Sequence, residues 1–164
     1  MKDVEQKMLG IIDFAKEAYD DFKDDDKKET RAQDMEDEIM IVKIDHMRKS
    51  GAYIRTLESW SLQLGLTTLV VTSRDKGIIL LSQGDKCQMT KFLLNWKTTN
   101  IDVDSKGKPC KERMIQILYR EQLRSKDISW KSICEEKFAT ISCNNLLECF
   151  KDTTLESLIN TTFY

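Results

Sequence analysis

The chain has 164 residues, a length that favours one domain with room for a tail. Its 26 basic and 28 acidic residues leave a formal net charge of −2, which implies neither a polyanion binder nor an acidic tail protein. Apolar residues make up 40% and charged residues 33%, enough of the former for one globular core. No apolar run approaches the roughly 20 residues that a membrane-spanning helix needs, and the N-terminus is acidic and amphipathic, unlike a signal sequence.

Asp3 to Phe22 carries the clearest helical period. Val4, Met8, Ile11, Ile12, Ala15, Tyr19 and Phe22 fall on one face, and Asp3 with Gln6 suits a capping box. Lys23 to Glu38 is nearly all charged and reads as a solvated linker. Its Asp24-Asp25-Asp26 cluster lacks the alternating oxygens and the glycine of a calcium loop. The expected division is therefore 1–38, an amphipathic helix and linker, and 39–164, the folded domain.

Ile39 to Ile44 is a strand candidate. Tyr53, Ile54, Leu57, Trp60 and Leu64 then mark one helical face, closed by Gly65 as a C-terminal cap. Two continuous aliphatic runs follow, Leu69–Val71 and Ile78–Leu81, separated by a polar turn ending in Gly77. They predict an antiparallel hairpin buried on both faces, with Gly77 supplying a positive φ. Asp85 and Gln88 cap a second helix whose buried stripe is Met89, Phe92, Leu93 and Trp96. Asn100 to Asp104 alternates polar and apolar residues, as an edge strand would.

Strand, helix, strand, strand, helix, strand is the order of a ferredoxin-like βαββαβ core, two helices on one face of a four-stranded antiparallel sheet. The fold class is thus α+β. The first and third strands should lie centrally. The second should be an edge, yet Leu69–Val71 is too apolar for one and calls for cover. Met114 to Tyr119 predicts an additional strand. Beyond it, Trp130, Ile133, Phe138 and Ile141 show weak period, and the segments around Leu146–Phe150 and Leu155–Ile159 predict one or two C-terminal helices, with Asn144 or Asn145 and then Thr153 as caps.

Chemistry-bearing motifs are few. The five cysteines form no CxxC pair, and an odd count without a signal sequence suits reduced thiols of a cytosolic or nuclear protein. The single histidine, His46, offers no zinc ligand set and has no nucleophile signature near it. Beside Asp45 on a strand, it should point to the opposite face. Asp102 to Gly107 imitates a calcium loop but has Lys106 at the fifth position and Arg113 at the twelfth, so a turn is expected. Lys76-Gly77 opens the third strand as the aromatic signature of RNA-recognition domains does, but aliphatic residues follow and the base-stacking platform is missing. Trp60 and Trp96 are expected in the core. No cofactor, metal or catalytic residue is predicted. Basic residues that could contact RNA or a partner protein are Lys106, Lys108, Lys111, Arg113, Arg120 and Arg124, interrupted by Glu112 and Glu121.

Ile44-Asp-His-Met-Arg48, the helix with Trp60, Gly77-Ile-Ile-Leu-Leu-Ser-Gln-Gly-Asp85 and Val103-Asp-Ser-Lys-Gly-Lys-Pro-Cys-Lys-Glu-Arg-Met114 together resemble the C-terminal half of the RWD domain-containing protein 3 family. That half is in turn similar to the C-terminal domain of a Prp-type subunit of the spliceosomal small nuclear ribonucleoproteins. The resemblance covers roughly Ile39 to Phe163. It implies a non-enzymatic protein-interaction module that regulates SUMO or ubiquitin-like conjugation, through a SUMO-conjugating enzyme as partner, in nucleus and cytoplasm. The spliceosomal relative implies RNA binding as the alternative. In that family the conjugating enzyme is bound by an RWD domain that precedes this region, and residues 1–38 are then either its remnant, with Asp3–Phe22 as the last helix, or an unrelated start.

Overall fold

In the computed structural model, residues 36–112, 114–123 and 135–164 are described. The expected helix over Asp3–Phe22, most of the charged linker, Trp130 and Ile133 lie outside them. Within the unit Met35–Tyr164, the chain runs β1 (Asp37–Ile44), α1 (Ser50–Gln63), β2 (Thr67–Ser73), β3 (Gly77–Asp85), α2 (Lys86–Thr98), β4 (Asn100–Val103), β5 (Pro109–Lys111), β6 (Ile115–Gln122), β7 (Phe138–Cys143), α3 (Leu146–Cys149) and α4 (Glu156–Phe163).

Each element starts and stops where local chemistry dictates. Gly65 takes φ +68° after α1, its N–H bonding Leu62 O at 3.2 Å while Leu66 N–H reaches back to Ser61 O at 2.9 Å. These are the two bonds of a Schellman cap, which needs a left-handed residue that glycine adopts without strain. Gly77 does the same for the hairpin, at φ +82°, and the register runs from Thr67 opposite Gln83 to Ser73 opposite Gly77. The Asp85 carboxylate accepts the Gln88 N–H at 3.0 Å and starts α2, satisfying one of the helix's orphan donors.

The five-stranded sheet has the order β6-β1-β3-β2-β7. All pairs are antiparallel except β2 with β7, which is parallel from Thr68 opposite Phe138 to Ser73 opposite Cys143. The ferredoxin-like core is present, with two departures from the sequence-based expectation. The fourth strand is not Asn100–Asp104. β4 pairs instead with β5 in a separate two-stranded ribbon, and β6 takes the place beside β1. The physical reason is length and content. β4 has four residues, whereas β6 has eight and supplies Ile115, Leu118 and Tyr119 as partly buried cover. The second departure is that β2 is no edge. β7 closes it, which accounts for the density of apolar residues at Leu69–Val71, all at most 1% exposed.

Both faces of the sheet are covered, as continuous rather than alternating apolar runs require. One face packs Met40, Val42, Val70 and Leu80 against Tyr53 and Leu57 of α1 and Met89, Phe92 and Trp96 of α2. Phe92 and Trp96 meet edge to face, with ring centroids 5.6 Å apart. Trp96 is fully buried, while Trp60 is half-buried at the margin of this core. The other face packs Ile39, Ile41, Leu69, Val71, Ile79 and Leu81 against Leu146, Phe150, Leu155 and Ile159. The C-terminal segment is thus two short helices, broken at Asp152 with φ +62°. Asn145 caps the first, accepting from Glu148 N–H at 3.0 Å. Thr153 does not cap the second. Its hydroxyl accepts Leu155 N–H within the turn, and the N-cap residue is Leu155.

One carboxylate fastens this second layer to the hairpin. Asp75 accepts the Ser73 hydroxyl, the Leu146 N–H at 3.1 Å and the Tyr164 hydroxyl at 2.5 Å. Lys76 lies 3.9 Å over the Tyr164 ring and donates to Phe163 O at 3.3 Å. The Ser73 hydroxyl first, and the Tyr164 hydroxyl second, pull the Asp75 carboxyl from 3.8 down to about 2. A depressed carboxyl stabilises the fold above its unfolded pKa and loses that contribution as pH falls through the folded one. Urea midpoints measured from pH 5 to pH 2 should therefore drop in the wild-type chain between about pH 4 and pH 2. Asp75→Asn should start lower and fall less over the same interval. Parallel profiles would show that Asp75 does not carry the linkage.

Candidate functional site

The loop after β1 meets the β4–β5 ribbon at a cleft of about 390 Å³. His46, Arg48, Asp102, Asp104, Cys110, Lys111 and Glu112 contribute to its walls. Two of its carboxylates are held by main-chain donors. Asp102 is 7% exposed and accepts the N–H groups of Arg48 at 2.9 Å and Lys49 at 3.0 Å, just ahead of α1. Burial works against its charge, but these bonds outweigh burial and hold the carboxyl below its ordinary range. The ribbon is thereby tied to the start of α1. Asp104 accepts the N–H groups of Lys106 at 2.8 Å and Lys108 at 2.9 Å, and Gly107 turns at φ +79°. The expected turn at this place is therefore an Asx-type ribbon tip.

Glu112 is held from inside. The Trp96 indole N–H donates to the Tyr53 hydroxyl at 2.7 Å, and that hydroxyl donates to Glu112 at 2.6 Å. The other Glu112 oxygen accepts Met114 N–H at 2.7 Å. Burial, and then the Glu112 carboxylate, push the Tyr53 hydroxyl far above its ordinary range, so it remains a donor. A buried relay thus runs from α2 through α1 to the segment that leads into β6.

His46 and Asp45 lie beyond the end of β1, in the loop. Strand alternation does not apply there, and His46 Nδ1 meets Asp45 at 2.7 Å instead of facing away. Both are about half exposed, 47% and 56% by side chain. Cys110 shares the cleft, but among the described residues no hydrogen bond joins its thiol to His46. Among the described residues no group of three or more histidine, cysteine, aspartate or glutamate side chains is placed to hold a metal ion. The arrangement is a fixed, charged surface: two main-chain-bound carboxylates, one relay-bound carboxylate, and Arg48 and Lys111 beside them.

The six basic residues singled out in the sequence separate. Lys106 and Lys108 are exposed at the ribbon tip, and Lys111 lines the cleft at the end of β5. Arg120 is elsewhere, on β6, bonded to Glu38 at 2.7 Å and to the Thr90 hydroxyl at 2.8 Å. With Glu38 side-chain exposure at 10%, that pair joins β6 to β1 and α2. Arg113 and Arg124 lie outside the described residues. Neither Asp102 nor Tyr53 stood out in the sequence as an organiser of this region. The one available hint was an acid flanked by Ile101 and Val103 in a strand, which marks a carboxylate placed against apolar surface.

This is a ferredoxin-like α+β domain with a β4–β5 ribbon and a second helical layer. Its sequence is similar to RWD domain-containing protein 3 of several vertebrates. The human protein is 37% identical over 87 residues, covering 53% of this chain and 32% of its own length. The rat protein is 32% identical over 101 residues, and the Xenopus tropicalis protein 33% over 103, each covering 38% of its own length and 62% and 63% of this chain. The chain thus spans between about a third and two fifths of the length of these relatives. No protein-family model matches it. Nothing in these comparisons supports the expected relation to a spliceosomal subunit.

Among solved structures, full-length HypF aligns with a TM-score of 0.47 at 13% identity, over 71% of this chain and 13% of that one. The BLUF protein BlrB aligns at 0.45 and 11%, over 75% and 83%. An acylphosphatase from Coxiella burnetii aligns at 0.39 and 11%, over 69% and 99%. Such values are too low to transfer any property.

Proposed function

We propose that this domain is a non-enzymatic protein-interaction module that regulates SUMO or ubiquitin-like conjugation, with a conjugating enzyme among its partners, in nucleus and cytoplasm. The similarity to RWD domain-containing protein 3 carries the reading. The architecture is compatible with it. The cleft and ribbon tip are built on a pinned frame, and they present Lys106, Lys108 and Lys111 to solvent next to the His46–Arg48 loop.

The full chain should bind a SUMO-conjugating enzyme in calorimetric titration and change the rate of conjugation in a reconstituted reaction. Charge reversal of Lys106, Lys108 and Lys111 together should weaken that binding about tenfold or more, with a shallower salt dependence. Absence of both binding and rate change at low salt would overturn the reading. A salt-dependent shift of structured RNA by a chain silent toward the enzyme would replace it with the nucleic-acid alternative, because phosphate contacts are strongest at low salt.

A further inference from the structure

The five-stranded sheet ends in two edge strands, β6 and β7, and they are not equally open. β6 carries Arg120 and Glu121 and loses register against β1 between Ile41 and Val42. Charge and a bulge both blunt an edge against further pairing. β7 has neither. Phe138–Cys143 contains no charged residue and no proline, and its register with β2 is unbroken. Main-chain bonds fix which way its groups point. Thr68 N–H donates to Lys137 O at 2.8 Å, and Arg74 N–H donates to Cys143 O at 3.1 Å. With Thr68 opposite Phe138, the odd-numbered residues of β7 bond to β2. The N–H and C=O groups of Phe138, Thr140 and Ser142 therefore point away from the sheet, and among the described residues no strand pairs with them. Thr140 and Ser142 are also exposed by side chain. Exposed Glu135 and Glu136 stand at one end of β7. At the other end a groove of about 560 Å³ opens, with exposed Arg74 in its wall.

We propose that β7 is a self-association edge, on which a second copy of this chain adds its own β7 antiparallel about a two-fold axis at Thr140. Two identical antiparallel strands pair only where outward residues stand opposite outward residues. The register with Thr140 opposite Thr140 and Phe138 opposite Ser142 meets that condition. It uses every outward main-chain group of those three residues on both copies, whereas a shift by two residues sends Phe138 or Ser142 past the end of the partner strand. It also sets two threonines face to face, a favourable cross-strand pair, and brings Ala139 beside Ile141. The same apposition carries Glu136 of one copy next to Asn144 of the other, at the groove where Arg74 stands. Acidic end thus meets basic end twice, once at each end of the joined strands. This complementarity and the matched two-fold register select a second copy over a foreign strand. The interface uses none of the cleft residues, so it does not rest on the conjugation reading.

The test uses the full chain. In sedimentation equilibrium its mass should climb from 19.1 kDa towards twice that value as concentration rises to about 1 mM. Amide exchange read by NMR locates the contact in the wild-type chain itself. The Phe138, Thr140 and Ser142 amides should exchange slowly when concentrated and fast when dilute, while Ala139 and Ile141, bonded to β2, stay slow in both. Thr140→Lys and Thr140→Glu each place like charges across the axis and should weaken the dimer about tenfold or more. Mixing the two variants should restore it, since lysine then faces glutamate. A monomer throughout, with fast exchange at the three amides, would overturn the proposal and leave the edge to a foreign strand. Protection of those amides at every dilution would overturn it by showing that the chain covers its own edge. A dimer indifferent to both Thr140 variants would place the contact elsewhere and overturn it as well.

Discussion

Replacing Phe150 by alanine should destabilise the domain by about 3–5 kcal/mol, a large part of the stability of a chain this size. Phe150 is fully buried and closes α3 over Ile39, Ile41, Leu69, Val71, Ile79 and Leu81. Its removal leaves a ring-sized void against a sheet whose side chains already sit in contact with both layers, so the lining cannot collapse far. The urea midpoint should fall with the slope unchanged, because a single cooperative unit unfolds in both chains. A shift of less than about 1 kcal/mol would show that the C-terminal helices are a loosely held cover and not part of the same core.

The second large effect is expected at Trp96. Trp96→Ala removes the largest fully buried side chain, which meets Phe92 edge to face and donates to Tyr53. The expected cost is again about 3–5 kcal/mol. Two companion substitutions separate packing from the relay. Tyr53→Phe keeps the ring but leaves the buried indole N–H without its acceptor and Glu112 without its inner donor, for a loss of about 1–3 kcal/mol. Trp96→Phe keeps most of the volume and leaves the Tyr53–Glu112 bond in place, so it should cost less than Trp96→Ala. If Tyr53→Phe is neutral in denaturant, the relay is not what sets the approach of the Glu112 segment to the core. A change in the proposed binding of a conjugating enzyme on Tyr53→Phe, without loss of fold, would place the relay in control of the cleft.

Much of the fold was legible in advance because the signals were local. Gly65 and Gly77 stand where positive φ is needed, Asp85 caps the helix it precedes, and Met89, Phe92, Leu93 and Trp96 are all buried on one side of α2. The continuous aliphatic runs of β2 and β3 announced two covered faces. The same runs said nothing of what covers them. Phe138–Cys143, whose apolar residues looked scattered in the sequence although inward and outward positions alternate from Ala139 on, became the strand that closes β2, and Asn100–Val103, whose polar and apolar residues alternate in sequence although Ile101 and Asp102 are both buried, was drawn into the ribbon. Periodicity describes how a segment is buried. It does not choose its neighbour.

The site was less legible than the fold. Six basic residues stood close together in sequence, yet Arg120 is spent on Glu38 and Thr90, while Lys106, Lys108 and Lys111 remain at the ribbon. The His46–Asp45 contact arose because β1 stops at Ile44, one residue before the pair. An α+β chain with a central hairpin and two capped helices on one face could be read before any coordinates. Those follow from nearest-neighbour chemistry: helix caps, turn glycines and apolar spacing. The tertiary structure alone decided that β6 and not β4 completes the core, that β7 runs parallel to β2, and that Asp102, Glu112 and Asp75 each collect donors from segments distant in the chain. A carboxylate's partners are fixed by which N–H and O–H groups the packed layers bring within about 3 Å, and no local pattern encodes that meeting.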